Sequence, residues 1–80
     1  MHYVYVMRSL KNGKRYVGST GQDVRVRLRQ HNRGQNRWAA QNGPFELLRV
    51  EEHVTKAEAV RRERFLKTGV GRQELDLLLR

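Results

Sequence analysis

The fold is decided by residues 2–20, HYVYVMRSLKNGKRYVGST. Residues 2–9 and 15–20 are rich in Tyr and Val, which favour β-strands because their side chains pack well on a pleated surface. Between the two runs, the segment Lys11-Asn12-Gly13-Lys14 contains the Asn-Gly pair that is the strongest short hairpin signal. The stretch therefore predicts two antiparallel strands joined by a tight turn.

The expected turn also predicts which side chains share a face of the sheet. Asn12 and Gly13 tolerate the positive φ of a type I′ turn, and a two-residue loop at these positions pairs Ser9 with Tyr16. Successive side chains alternate between the two faces of a strand. The residues expected on one face are Tyr3, Tyr5, Met7 and Tyr16. Tyrosines on such a face most often pack in the core with the hydroxyl at its rim.

The rest of the chain predicts helices and one more strand. The expected elements are a helix at 24–32, a polar loop at 33–43, a strand at 45–52, a helix from Thr55 to about 68 and a helix at 72–79. Asp23 and Thr55 are good N-caps, and Gly69 and Gly71 are expected to break the second helix. The predicted fold is α+β, one domain over residues 1–80 with a small three-stranded antiparallel sheet flanked by helices in the order ββαβαα.

Length and composition limit the possible classes of protein. The 80 residues include 17 Lys and Arg, 8 Asp and Glu, and no Cys. A chain of this length holds one domain, and without Cys it has neither disulfides nor a thiolate zinc site. No apolar run reaches the roughly 18 residues that span a bilayer, and the first residues lack the features of a signal peptide. We therefore expect a cytoplasmic protein with no membrane association, and a net charge of +9 points to a polyanionic partner.

The positive charge is concentrated in one half of the chain. Residues 1–40 contain nine cations and one acid, whereas residues 41–80 contain eight cations and seven acids. The asymmetry favours one basic face over a generally solvated surface. The residues expected to contact nucleic acid are Lys14, Arg15, Arg25, Arg29, Arg33, Arg37 and Trp38. Trp38 has two readings, stacking on an unpaired base or folding back onto the small core.

Three charged or titratable residues lie at the apolar stripes of the predicted helices. Glu63 falls between Ala59 and Leu66 on the helical wheel, where a carboxylate is costly unless a cation or metal meets it. That leaves two alternatives, a metal or catalytic role and a rim carboxylate paired with an arginine. Arg27 and His31 are one turn apart and can reach the same spot. A single His at such an edge is more often structural.

Together these residues supply the groups that phosphodiester hydrolysis requires. A guanidinium neutralises phosphate oxygens, a carboxylate holds a divalent metal, and a tyrosine or histidine takes a proton from water. A phenol with a pKa near 10 is a poor base at neutral pH unless cations lower that value. We expect the metal and the basic surroundings to do so here.

Four motifs in order resemble the GIY-YIG nuclease domain. They are Tyr3-Val4-Tyr5, Tyr16-Val17-Gly18, the first-helix segment 23–34 and the segment 62–67 around Glu63. The match covers nearly the whole chain and is most similar to short bacterial members related to the nuclease subunit of structure-specific endonucleases. Two positions depart from the pattern: Tyr3 stands where the family name has Gly, and residues 64–80 contain no Asn to match the one that follows the glutamate helix in larger members. Arg72 is one candidate to replace it.

The resemblance implies a site and an activity. It implies Tyr5 and Tyr16 at the attacking water, Arg27 on the scissile phosphate, His31 as a phosphate contact or proton relay, and Glu63 as ligand of one Mg²⁺ or Mn²⁺. Ser19 and Asn32 are expected to support these groups. The implied activity is metal-dependent cleavage of DNA, with single strands, flaps and branches as possible substrates, RNA still open, and a role in DNA repair. The alternatives are an inactive or partner-dependent binding module and a structural subunit that sits on RNA.

Overall fold

The computed structural model describes residues 1–34 and 36–80. Its elements are β1 (His2–Ser9), β2 (Arg15–Thr20), α1 (Val24–Asn32), α2 (Arg37–Asn42), β3 (Phe45–His53), α3 (Lys56–Leu66) and α4 (Gly69–Leu78). The α+β class and the order ββαβαα are confirmed, with α2 as an additional short helix. The prediction of a polar loop over 33–43 is wrong at residues 37–42, and residue 35 of that segment lies outside the described residues.

The sheet forms the middle layer of the domain. Its strand order is β2-β1-β3 with both pairs antiparallel, so β1 is the central strand. On one face Tyr5 and Met7 pack with residues of α1 and α2, and on the other face Val4 and Val6 pack with residues of α3 and α4. All four of these β1 residues are buried because helices cover both faces. The central strand therefore supplies both halves of the core.

The turn between β1 and β2 differs from the prediction. Met7, not Ser9, faces Tyr16, and the backbone N–H of Ser9 donates to the carbonyl of Lys14 at 2.8 Å. The loop therefore has four residues, 10–13, and the two-residue type I′ turn is wrong. The Ser9 hydroxyl explains the longer loop, because it accepts hydrogen bonds from the backbone N–H groups of residues 11 and 12 at 3.1 and 3.2 Å.

The predicted face of the sheet is nevertheless confirmed. A four-residue loop and a two-residue loop both have even length, so the register moves by two residues and the alternation of side chains is kept. Tyr5 and Met7 are buried in one cluster, and Tyr3 and Tyr16 pack against it.

The helices begin where capping side chains satisfy their first N–H groups. Asp23 caps α1 and Thr55 caps α3, as predicted. The last helix starts earlier than expected, because Thr68 caps it and Gly69 and Gly71 lie inside α4. A Cβ on Gly71 would lie 2.0 Å from the carbonyl oxygen of residue 65, so glycine lets α4 start directly against the end of α3. None of the helices in the described ranges is long and apolar enough to cross a membrane.

Candidate active site

Tyr5 and Gly18 form the centre of the site. Tyr5 is 1% exposed, and its partner across the sheet on β2 is Gly18. A Cβ on Gly18 would lie 2.4 Å from Tyr5 Oη and 3.0 Å from Tyr16 Cε1, so the two phenol rings fill the space of a side chain. Sequence reasoning gave Gly18 no role of its own, because the predicted register placed Thr20 opposite Tyr5. Glycine at position 18 therefore leaves the space in which the Tyr5 phenol lies against the edge strand β2.

Arg27 reaches this phenol from the first turns of α1. It forms a hydrogen bond with the Tyr5 side chain, and its Nη1 donates to Gln30 Oε1 at 2.9 Å. Burial raises the pKa of Tyr5 above its usual value near 10; the Arg27 hydrogen bond opposes this, and the charges of Tyr16 and Glu63 add to the rise. The protein's own groups therefore raise this pKa, contrary to the expectation that the basic surroundings lower it. Tyr5 is a neutral phenol at pH 7.

His31 lies in an aromatic cluster behind Tyr16. The two ring centroids are 4.8 Å apart, and His31 is 1% exposed. Neither imidazole nitrogen has a hydrogen-bond partner within residues 1–34 and 36–80. Burial, together with the charge of Arg27, lowers the pKa of His31, so the ring is neutral at pH 7. A neutral imidazole has a free lone pair and can accept a proton.

Trp38 closes the same cluster from α2. Its ring lies 5.4 Å from Phe45 at an angle of 20° and 5.1 Å from Tyr16 at 37°. The indole is half-buried: it packs on the core and, together with Tyr16, lines an open groove, so base stacking by Trp38 stays a prediction.

Glu63 reaches the β2 edge from the opposite layer, on α3. Its Oε1 accepts a hydrogen bond from the Ser19 hydroxyl at 2.6 Å, and its Oε2 accepts one from Lys67 Nζ at 2.7 Å. Burial opposes ionisation most strongly, but these two hydrogen bonds and the positive charges of Lys67 and Arg64 together outweigh it and lower the pKa of Glu63. The carboxylate is therefore charged at neutral pH, and its charge acts on Tyr5 around the edge of the sheet. Its cationic partner is a lysine, where the sequence suggested an arginine.

An open groove runs along the β2 edge. Tyr16 lines it, whereas Tyr5, Arg27, His31 and Glu63 do not, and Glu63 is connected to the groove through its partner Lys67. The groove has a volume of about 600 Å³. Its polar and aromatic lining consists of Lys14, Arg15, Tyr16, Trp38, Lys67 and Arg72. Arg15 Nη2 also contacts Asp76 Oδ1 at 2.8 Å. The cations of the groove come from both halves of the chain. Lys14 and Arg15 belong to the predicted nucleic-acid-binding set, whereas Lys67, just after α3, and Arg72, in α4, do not.

The remaining predicted residues lie away from this groove. Arg25 pairs with Asp23 at the start of α1, at 3.3 Å. Asn32 binds the backbone of Phe45, accepting from its N–H at 2.7 Å, and so joins α1 to β3 instead of supporting the site. The exposed cations of the α1–α2 layer are Arg29, Arg33 and Arg37.

The residues present fit a divalent ion at Glu63. Mg²⁺ commonly binds one or two carboxylates and takes its other ligands from water and phosphate oxygens. Glu63 is ionised, and its side chain is 21% exposed beside the groove. No group of three acidic, His or Cys side chains that could hold a metal occurs in the described part of the chain. The donor set is therefore that of a single-carboxylate site.

The fold and this site define a class, small α+β domains suited to phosphodiester chemistry. An arginine and an ionised carboxylate approach the β2 edge from opposite faces of the sheet, and a cationic groove runs along that edge. The model of the GIY-YIG catalytic domain matches residues 1–75. The chain belongs to the GIY-YIG family, a superfamily of endonucleases.

Relatives of similar length support this assignment. The UPF0213 proteins of Staphylococcus aureus strains Mu50 and N315 are each 35% identical over 78 residues, which cover 96% of this chain and 93% of the relative. The solution NMR structure of a UPF0213 protein from Bacillus halodurans is similar with a TM-score of 0.56 and 32% identity, covering 96% of this chain and 83% of that chain.

Proposed function

We propose that the protein is a divalent-metal-dependent endonuclease that hydrolyses DNA phosphodiester bonds in the cytoplasm, with little sequence specificity. The observation that carries the proposal is the meeting of two layers at the β2 edge. The Tyr5–Arg27 pair comes from one side of the sheet and the ionised Glu63 from the other. A groove lined by four cations runs along the same edge, and its lining includes Tyr16, which stacks on Tyr5, and Lys67, which pairs with Glu63.

Arg27 and the aromatic groups have distinct roles in this proposal. The Arg27 guanidinium neutralises non-bridging oxygens of the scissile phosphate and is held in place by the Tyr5 phenol. The raised pKa of Tyr5 makes its phenol a hydrogen-bond donor that orients the water. Tyr16 lines the groove and contacts the attacking water, and the neutral His31 packs against the Tyr16 ring from the core side and holds it in place.

Glu63 is the residue that would hold the metal. Ser19 donates to one carboxylate oxygen and thereby fixes the direction of the other. A bound Mg²⁺ or Mn²⁺ supplies stabilisation of the charge that develops on the phosphate and leaving oxygens.

The groove suggests the kind of substrate. Its lysines and arginines are suited to the phosphate backbone, which carries no sequence information. An open groove with cations on both sides suits a single strand or the branched end of a duplex.

The second candidate is a binding module without catalysis. One observation favours it: both oxygens of Glu63 already have partners in Ser19 and Lys67, as in a purely structural carboxylate. Binding that weakens steeply with salt fits both candidates.

Cleavage of a substrate panel separates the two candidates. The panel contains single-stranded, duplex, flap and junction DNA and a single-stranded RNA, each with Mg²⁺, Mn²⁺ or EDTA. We expect Mg²⁺-dependent cleavage of DNA by the wild type, loss of cleavage in Glu63→Gln with DNA binding retained, and normal cleavage in the control Glu58→Gln on the exposed side of α3. Wild-type rates in Glu63→Gln would refute the catalytic assignment, and binding without cleavage of any substrate would establish the binding module.

A further inference from the structure

We propose that Lys67 is an exchangeable partner of Glu63: it neutralises the carboxylate until a divalent ion binds, and its ammonium then turns into the groove to contact a substrate phosphate. The inference rests on the proposed function, and it assigns to Lys67 the coupling between metal binding and nucleic-acid binding. Lys67 is thus a positioning residue of the site.

The position of Lys67 allows both contacts. It follows Glu63 by one helical turn, and its Nζ lies 2.7 Å from Oε2. The same side chain lines the groove together with Tyr16 and Arg72. The four-carbon stem of lysine is flexible, so the ammonium can change partners without movement of the backbone.

The energetics of the pair favour exchange. The Lys67 side chain is 50% exposed, whereas that of Glu63 is 21% exposed. Half-exposed ion pairs are weak because solvent screens them, so little is lost when the ammonium leaves. Ser19 keeps its hydrogen bond to Oε1, and the carboxylate therefore stays aimed at the groove while Oε2 becomes free.

Arg64 provides a matched control for the effect of charge alone. It lies next to Glu63 on α3, is exposed, and lowers the pKa of Glu63 through its positive charge. Lys67 acts through its charge and also through a hydrogen bond to the oxygen that the ion needs. Lys67→Gln and Arg64→Gln each remove one positive charge, but only Lys67→Gln replaces the ammonium that is bonded to Oε2 with a neutral group that a divalent ion displaces more easily.

The first measurement is the affinity for Mn²⁺, by titration calorimetry on the full chain. We expect Lys67→Gln to bind Mn²⁺ about two- to five-fold more tightly than the wild type, and Arg64→Gln to gain clearly less. Equal affinity of Lys67→Gln and the wild type, or an equal gain in the two variants, would overturn the exchange. Circular dichroism and the melting temperature confirm that both variants are folded.

The second measurement tests the destination of the ammonium. Binding of a single-stranded oligonucleotide is followed by fluorescence anisotropy with EDTA or with Ca²⁺, and a gel confirms that the oligonucleotide stays intact. In EDTA, Lys67→Gln should lose no more affinity than the charge-matched Arg64→Gln, because the Lys67 ammonium is then paired with Glu63. With Ca²⁺, Lys67→Gln should bind about two- to five-fold more weakly than Arg64→Gln. A loss of the same size in both conditions would mean that Lys67 contacts phosphate independently of the ion, and would overturn the coupling.

Glu63→Gln separates failure of this inference from failure of the proposed function. If the wild type binds Mn²⁺ and Glu63→Gln does not, while Lys67→Gln matches the wild type, only the exchange is refuted. If the wild type and Glu63→Gln bind Mn²⁺ equally or not at all, the metal site itself is refuted and the exchange with it.

Discussion

Gly18→Ala adds one methyl group at the point where the two layers of the site meet. The new Cβ would lie 2.4 Å from Tyr5 Oη and 2.6 Å from Tyr5 Cζ. Tyr5 is almost completely buried and its phenol is bonded to Arg27, so the ring has no free space into which it can move. The φ angle of Gly18 is not positive, so the backbone tolerates alanine and the effect comes from the contact with Tyr5 alone.

The size of the effect follows from the packing. Overpacking a filled core typically costs about 1–3 kcal/mol, and 1 kcal/mol shifts the melting temperature of a domain this small by roughly 4–8 °C. At a cost of about 2 kcal/mol, the middle of that range, Gly18→Ala should lower the melting temperature by about 8–16 °C. A phenol displaced by about 1 Å from Arg27 should also reduce the cleavage rate by ~10²-fold at a temperature where the variant is folded.

Gly69→Ala is the matched control, since a Cβ at that position meets nothing within 4 Å and its φ is also not positive. Thermal unfolding by circular dichroism should show no loss of stability for this variant. In a Tyr5→Phe background the cost of Gly18→Ala should fall, because the atom with the shortest contact is gone. A melting temperature of Gly18→Ala equal to that of the wild type, or an unchanged cost in Tyr5→Phe, would refute the reasoning.

Three further predictions concern charged groups. Arg27→Ala should slow cleavage by about 10²–10³-fold, as for loss of one preorganised donor, in single-turnover assays at saturating DNA. Asp76→Asn should tighten oligonucleotide binding by about two- to five-fold at low salt, because it releases Arg15 into the groove. In anisotropy titrations this gain should vanish at high salt, and no gain at low salt would argue that the nucleic acid does not bind in the groove. The Arg62 hydrogen bonds, aided by Arg49 and opposed by burial, lower the pKa of Glu51 to about 2. Because this pKa is lowered in the folded state, ionised Glu51 contributes stability above pH 4.5, at most about 3 kcal/mol, and the contribution is lost as the pH falls towards 2. Urea unfolding measured from pH 6 to 2 should show this fall in the free energy of unfolding, and the fall should be smaller in Glu51→Gln.

The sequence predicts the fold well because its strongest signals are local. Tyr and Val alternate along two short runs, and the bounds of β1, β2 and α1 agree with the prediction. The N-caps Asp23 and Thr55 are identified by residue type alone. The prediction that Tyr5 and Tyr16 share a face is correct although the predicted loop length is wrong. Side chains alternate along each strand, so any loop with an even number of residues leaves these two side chains on the same face.

Other features depend on contacts between distant parts of the chain, which no local pattern contains. The loop is lengthened by the Ser9 hydroxyl, which also donates to the carbonyl of Asn42, a residue far along the chain. The contact between Gly18 and Tyr5 can be recognised only when the observed strand register is known. Several cations are near Glu63 in the sequence, and only the structure shows that Lys67 is the one bonded to it. The partner of Asn32 could not be predicted from the sequence either, because it is the backbone N–H of Phe45 and not a side chain of the site.

The burial of Tyr5 has a consequence for how this domain can change. The same ring fills the centre of one core cluster and carries the hydroxyl that meets Arg27. Here a substitution that repacks the neighbours of Tyr5 also moves its hydroxyl. We therefore expect stabilising substitutions that preserve activity to be found on the α3–α4 side of the sheet, at core positions that contact neither Glu63 nor the groove, because this cluster contains no residue of the Tyr5–Arg27–His31 group.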